Sequence, residues 1–212
     1  MKIRFSLLAS ITLLASTANA AIMPGDLLIS EVLSNPGAVS DTAGEWFELY
    51  NSSANTIDLN GVKIRDEGSN QFTISSSLLI NAGEYLVLGR NADAAVNGGY
   101  SADYVYGSGF TLGNTSDAII VESGGNIIAS LIYNDAGLYG ANGRSAELIW
   151  NGNTFSYQLT PNGLTFGAGD IGTPGAAGSS ALPLAASAVP VPAAAWLFGS
   201  AIVGLQGLRR KR

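Results

Sequence analysis

The chain contains no histidine and no cysteine, and charged residues make up only 12% of its 212 residues. Without imidazole or thiolate groups it has no Ser–His–Asp triad, no cysteine nucleophile, no disulfide and no zinc site of the usual N/S kind. Carboxylates, hydroxyls, amides and the backbone remain. The function classes left open are binding, structural roles and carboxylate-based catalysis.

The first 20 residues are typical of a secretory signal peptide. Lys2 and Arg4 form the charged start, residues 5–14 form an apolar stretch, and Ala18 and Ala20 form the small-residue cleavage site. The apolar stretch is about half of the roughly 20 residues needed to cross a bilayer. We therefore expect signal peptidase to cleave here, rather than an uncleaved anchor, and the mature chain to begin at Ala21.

The C-terminal part combines a spacer with an apolar segment. Residues 176–188 are rich in Ala, Gly, Ser and Pro, and this composition predicts a flexible spacer. Residues 190–208 would span roughly 28 Å as a helix, just enough for the hydrocarbon core. We expect a single transmembrane helix, and a cytoplasmic tail held by the four basic residues after it, Arg209, Arg210, Lys211 and Arg212.

A proline motif precedes this apolar segment. With the helix and the basic end that follow, it resembles a sorting signal of the PEP-CTERM type in its VPxPA variant; the motif residues are Val189, Pro190, Val191, Pro192 and Ala193. The resemblance implies processing by an exosortase, a transpeptidase-like membrane enzyme of Gram-negative bacteria that make extracellular polysaccharide and biofilm. It also implies a precursor that is held transiently in the inner membrane. The alternative is a simple C-terminal anchor that is never removed.

The segment between the two ends is strongly acidic. Residues 21–189 contain four basic residues and all 16 acidic ones, a net charge of −12. Such a surface repels nucleic-acid phosphates, so no nucleic-acid partner is expected. It attracts cations instead.

The same segment has the pattern of an all-β domain. Short apolar runs alternate with Gly, Asn, Asp and Pro turns, and no segment of a dozen residues shows a helical period. This spacing predicts a β-sandwich large enough to bury a core without disulfides. The predicted strands are residues 27–33, 46–51, 62–65, 71–74, 85–88, 118–122, 127–133, 147–150 and 154–157.

Alternation along residues 46–50 assigns two faces to one of these strands. We expect Phe47 and Leu49 to face the core, because burying Glu48 without a partner would be costly. Trp46 and Tyr50 then share the outer face with Glu48 and are candidates for a surface aromatic pair. The alternative is that these two rings cover an edge or pack under a loop.

An ordered set of segments resembles the lamin tail domain, an immunoglobulin-like sandwich of nuclear lamins and of many secreted bacterial proteins. The matching segments are residues 28–32, 45–51, 57–64, 72–74, 80–88, 112–114, 117–121 and 172–175. The resemblance implies an immunoglobulin-like fold for residues 21–175. It also implies a binding or structural role, without catalytic residues.

Carboxylates offer the remaining chemistry. Glu45 and Glu48 are the nearest acid–base candidates, but a regular strand places them on opposite faces. Calcium is the alternative use, because an exported acidic domain has oxygen ligands to offer. The densest oxygen clusters contain Asp66, Glu67 and Asp135, none in EF-hand spacing. No cofactor is predicted, and a structural calcium ion stays open.

These observations predict an exported, non-enzymatic module of the cell surface or extracellular matrix, sorted by its C-terminal signal in an exopolysaccharide or biofilm context. Its ligand stays open between extracellular polysaccharide, a surface protein, and none at all if the module only adds bulk to the matrix. Two alternatives remain: a carboxylate-based hydrolase of extracellular polysaccharide, and a permanently anchored surface binding protein.

Overall fold

The computed structural model describes residues 21–184, and the regular secondary structure within them is almost entirely β-strand. The predicted signal peptide, the sorting motif and the basic tail lie outside these residues. Within residues 21–184, no helix has both the length and the apolar character needed to cross a bilayer. Between the strands, the same residues form one short α-helix, α1 (Asp41–Gly44), and one 3-10 helix (Gly107–Gly109).

In the described part of the chain, residues 21–184, fourteen strands follow one another. They are β1 (Leu27–Leu33), β2 (Trp46–Asn51), β3 (Ile57–Asp58), β4 (Lys63–Arg65), β5 (Gln71–Thr73), β6 (Leu79–Ile80), β7 (Tyr85–Gly89), β8 (Tyr104–Val105), β9 (Asp117–Ser123), β10 (Asn126–Tyr133), β11 (Ala146–Trp150), β12 (Phe155–Leu159), β13 (Thr165–Phe166) and β14 (Asp170–Ile171). The nine strands expected from the sequence are present within two residues at either end. The five others are two-residue strands, too short to produce a visible alternation.

Two sheets form the sandwich. The larger has the order β12-β11-β1-β2-β7-β8, and the smaller has the order β10-β9-β4-β5. Every pairing in them is antiparallel except β7 with β8. The all-β sandwich expected from the sequence is therefore confirmed.

The main core lies between the two sheets. Phe47 and Leu49 of β2 are fully buried there, as the alternation predicts. The Phe47 ring lies 5.9 Å from Tyr106 and 6.1 Å from Phe110, measured between ring centroids. Ile119 and Val121 of β9 close the core from the smaller sheet. The face assignment for Phe47 and Leu49 is correct.

The outer face of the larger sheet is covered by the chain itself. After β14, residues 172–182 run across this face, and we call this segment the strap. Leu182, 9% exposed, packs in one cluster with Tyr50 and Leu148. The Ser180 hydroxyl bonds the carbonyl of Trp150 at 3.3 Å.

The strap corrects the domain boundary that the sequence suggests. Residues 176–182 were expected to begin a flexible spacer, but they dock on the sheet. Their small side chains allow the backbone to approach closely: a Cβ on Gly178 would lie 2.5 Å from a carboxylate oxygen of Glu147. The domain therefore extends past residue 175. The small residues of the strap reflect close packing against the sheet rather than a flexible chain.

Both ends of the described chain lie beside the end of β2. The Ser52 hydroxyl donates to the carbonyl of Gly25 at 2.5 Å. Gly83 donates its backbone N–H to Asn51 at 2.9 Å, and a Cβ on Gly83 would lie 3.5 Å from Leu184. The chain therefore enters and leaves the sandwich at the same pole.

Candidate functional site

The predicted surface aromatic pair does not exist. Trp46 is completely buried and Tyr50 is 3% exposed. The Trp46 ring lies 6.0 Å from Tyr100 and 5.9 Å from Phe166, and the Tyr50 hydroxyl donates to the carbonyl of Leu182 at 3.1 Å. Segments far away in sequence cover this face of β2, so the alternative of packing under other parts of the chain is correct.

The outer face of the larger sheet carries a row of three buried glutamates. Glu31 on β1 is paired in register with Glu48 on β2 and with Glu147 on β11. Each of them is 1% exposed. The expectation that Glu48 faces solvent is wrong, because the strap supplies the buried partners that such a carboxyl needs.

Glu31 lies at the centre of this row and holds the start of the strap. Its Oε1 accepts the backbone N–H of Thr173 at 2.9 Å and the hydroxyl of Ser145 at 2.5 Å. Its Oε2 accepts the Thr173 hydroxyl at 2.6 Å. Burial raises the pKa of Glu31 above its ordinary value, and the nearby Glu147 adds to this rise.

The two outer glutamates repeat this arrangement further along the strap. Glu48 accepts the backbone N–H of Gly175 and the hydroxyl of Ser30, both at 2.7 Å. Glu147 accepts the backbone N–H of Ser179 at 2.9 Å and also the hydroxyl of the same residue. Burial, and then the charge of Glu31, raise the pKa of Glu48 well above its usual range. The three glutamates therefore hold the strap on the sheet through hydrogen bonds.

Glu45 belongs to a separate buried network on the core side of β2. Its Oε2 lies 2.9 Å from Nη1 of Arg90 and accepts the backbone N–H of Leu112 at 3.3 Å. The hydroxyls of Tyr100 and Tyr106 both donate to its carbonyl at 3.1 Å. Burial raises the pKa of Glu45 to about 7, despite the opposing effect of Arg90.

The acid–base pair needed by the hydrolase alternative is not formed. Glu45 and Glu48 point to opposite faces of β2, as their spacing predicts, and both are fully engaged in hydrogen bonds. Surface cavities of about 360 to 370 Å³ lie at three places on the described domain, and neither carboxyl lines any of these three.

The calcium candidates come together only in part. Asp66, Glu67 and Asn134 line one cavity of about 360 Å³ together with Asp117. The carboxylate of Asp66 is occupied by the N–H of its own turn, and that of Asp135 caps the next loop instead. Among residues 21–184, no three acidic side chains are grouped so that they could hold a metal ion.

These features define a class: an immunoglobulin-like β-sandwich whose buried carboxyls hold the fold together. A family model, the lamin tail domain, matches residues 21–135. The chain therefore belongs to the lamin tail domain family, whose immunoglobulin-like domain is typically non-catalytic. No curated protein matches the chain significantly. The matched region ends before β11, so Glu147 and the strap lie beyond it.

The glutamate row and the strap were missed by sequence reasoning. Glu31 and Glu48 sit in ordinary alternating strands, and Glu147 is 99 residues beyond Glu48. The only available signal was the recurrence of glutamate in three predicted strands that also contain large apolar residues. That signal says nothing about which strands are neighbours.

Proposed function

We propose that this protein is an exported, non-enzymatic module of the cell surface or extracellular matrix, delivered by a C-terminal sorting signal. One observation carries the proposal: a self-contained lamin tail domain lies between an N-terminal apolar segment with a cleavage site and a C-terminal proline motif with an apolar segment and a basic end. This arrangement is typical of a domain that is transported and then displayed.

A binding or structural role fits the chemistry of the domain better than catalysis. The carboxyls that are buried on β1, β2 and β11 are used to hold the strap and the core network. The described residues carry a large acidic excess, which keeps a displayed module soluble and favours partners that are neutral or basic. Extracellular polysaccharide or another surface protein is the ligand class we propose.

The geometry of the chain ends supports a transient membrane-held precursor. Gly25 and Leu184 lie at the same pole of the sandwich, and only residues 185–188 separate Leu184 from the motif that starts at Val189. An extended chain covers about 3.3–3.6 Å per residue, so the folded domain would stay within about 20 Å of the motif. An exosortase would then act next to the domain that it releases.

The test is the mass and location of the mature protein in an exosortase-containing host. We expect an N-terminus at Ala21 and loss of the apolar C-terminal segment. Joint replacement of Pro190→Ala and Pro192→Ala should leave full-length protein in the inner membrane, because orientation is kept and the recognition motif is lost. Pro183→Ala, a proline outside the motif, is the matched control and should mature normally.

A second set of variants separates sorting from permanent anchoring. Replacing Arg209, Arg210, Lys211 and Arg212 with Ser should weaken membrane retention, so that uncut precursor escapes or is degraded. If the parent protein keeps its intact C-terminus when exosortase is present, it is a permanently anchored surface protein instead. If the double proline variant matures as the parent does, the proline motif is not the recognition signal and the sorting proposal fails.

A further inference from the structure

The strap is held by the same arrangement three times. On each glutamate of the row, one carboxyl oxygen accepts a backbone N–H of the strap and the other bonds a hydroxyl. The backbone donors are Thr173, Gly175 and Ser179. The hydroxyls belong to Thr173, Ser30 and Ser179 and bond Glu31, Glu48 and Glu147 in that order.

Because one oxygen of each carboxyl bonds an N–H and the other bonds a hydroxyl, the carboxyl can take up a proton without losing its contact with the strap. A hydroxyl both donates and accepts, whereas a backbone N–H only donates. When Glu48 is ionised, its Oε1 accepts from Ser30. When it is protonated on Oε1, that oxygen can donate to the Ser30 hydroxyl instead, while Oε2 continues to accept from Gly175. The docked strap therefore tolerates the neutral acid.

Among the described residues, the ionised forms of Glu31 and Glu48 have no opposite charge to compensate them. The charged neighbours that act on these two carboxyls are acidic. Glu147 acts on Glu31, and both Glu31 and Asp103, which lies beside β7, act on Glu48. Tyr85 also faces Glu48. The strap itself contains no acidic, basic or tyrosine residue.

No cation of the described domain is paired with this row. Its salt bridges join Lys63 and Arg65 to Glu122, and Arg90 to Glu45. Arg144, the remaining basic residue of the described chain, directs its Nε to the carbonyl of Thr160 at 2.6 Å. Ionisation of neighbouring buried carboxyls without a counter-charge is costly, whereas both glutamates ionise easily once the strap has left.

We propose that the strap is an acid-stabilised latch: its docking takes up protons on Glu31 and Glu48, so that it is held at acidic pH and released as the pH rises. Release would uncover Tyr50 and Leu148 together with the glutamate row. It would also lengthen the chain between the folded domain and residue 185.

The direction follows from proton linkage. Burial raises the pKa of both carboxyls in the docked state, whereas in the undocked state they return towards their ordinary value of 4.5. Above that value, docking requires proton uptake, and each such proton weakens docking by up to about tenfold for every pH unit. The effect ends when the pH exceeds the docked-state pKa.

Hydrogen exchange with mass spectrometry, on the purified full-length chain in mild detergent, tests this latch. The readout is the protection factor of peptides covering residues 172–182, corrected for the intrinsic rate at each pH between 5 and 8. We expect protection of the strap to fall at least tenfold over this range. Peptides from β2 and β7 in the same samples should change much less.

Two variants isolate the carboxyls. Glutamine copies the neutral acid, because its amide can donate to the hydroxyl while its carbonyl accepts the strap N–H. Glu31→Gln and Glu48→Gln, alone and together, should therefore keep the strap protected and flatten its pH dependence. Glu67→Gln removes the same charge at an exposed site away from the strap and should retain the parental pH dependence.

Three results would overturn the latch. The first is strap protection that stays constant between pH 5 and 8. The second is an equal loss of protection in the strap and in the core peptides, which would indicate global rather than local opening. The third is a parental pH dependence in a folded Gln variant. If the double variant does not fold, either single variant decides the question, because each should reduce the slope.

Discussion

Glu45 and Arg90 form an ion pair of 2.9 Å in which the side chains are only 4% and 10% exposed. The same guanidinium nitrogen donates to the carbonyl of Phe110 at 3.1 Å, so Arg90 joins β2 to the segment that closes the core. Removing one member of a buried pair leaves an uncompensated charge, which costs much more than breaking a pair at the surface.

At pH 8, where Glu45 is ionised, Arg90→Met should destabilise the domain by about 3–5 kcal/mol, because the charged Glu45 would remain buried without its partner. Urea unfolding monitored by circular dichroism measures the change. The matched control is Arg65→Met, whose pair with Glu122 is partly exposed at 29% and 21%, so the loss of that pair should cost much less than the loss of Arg90. Equal shifts for the two variants would contradict the structural role of the buried pair.

The stability of the domain should decrease between acidic and neutral pH. The pKa of Glu45 is about 7 in the folded state, against an ordinary value of 4.5 in the unfolded chain, so the folded state binds more protons in this interval. The stabilisation is complete below pH 4.5 and is lost as the pH rises to 7, by about 3 kcal/mol from this group. Glu31 and Glu48 act in the same direction.

The Glu45→Gln variant measures how much that carboxyl contributes to the pH dependence of stability. The slope of unfolding free energy against pH, measured from urea curves between pH 4.5 and 8, should become shallower in this variant. A slope identical to that of the parent would mean that Glu45 titrates alike in the folded and unfolded chains.

Leu182→Ala should destabilise the domain by about 2 kcal/mol, near the lower end of the range for a buried leucine, because the strap is part of the folded unit. Leu184 provides the control: it is 54% exposed, against 9% for Leu182, and Leu184→Ala should change stability by less than about 0.5 kcal/mol. Differential scanning calorimetry compares the two. Indistinguishable melting temperatures would show that the domain ends before the strap.

The local alternation of apolar and polar residues was sufficient to predict most strands of the sandwich. Strands β1 and β2 have the bounds that their alternation predicts, and the inward face of β2 follows from keeping Glu48 out of the core. These features depend on neighbours within a few positions, so one sequence contains the information needed to predict them.

The composition of the strap, in contrast, led to a wrong prediction. Gly178, Ser179 and their neighbours suggested a flexible spacer, since small polar residues cannot build a core. In the structure the same smallness allows the backbone to lie against Glu147, and Ser179 supplies two donors. Composition alone does not distinguish a chain that is free from a chain that is closely packed.

The sequence by itself determined the all-β class, the main strands and the core position of Phe47 and Leu49, because period-two alternation is a local property. Only the tertiary structure decided that Glu31, Glu48 and Glu147 adjoin, since strand order is set by long-range pairing. It also decided what covers Trp46 and Tyr50. The partners of the glutamate row include backbone N–H groups of the strap, and nearly every residue carries such a group, so no sequence pattern marks them.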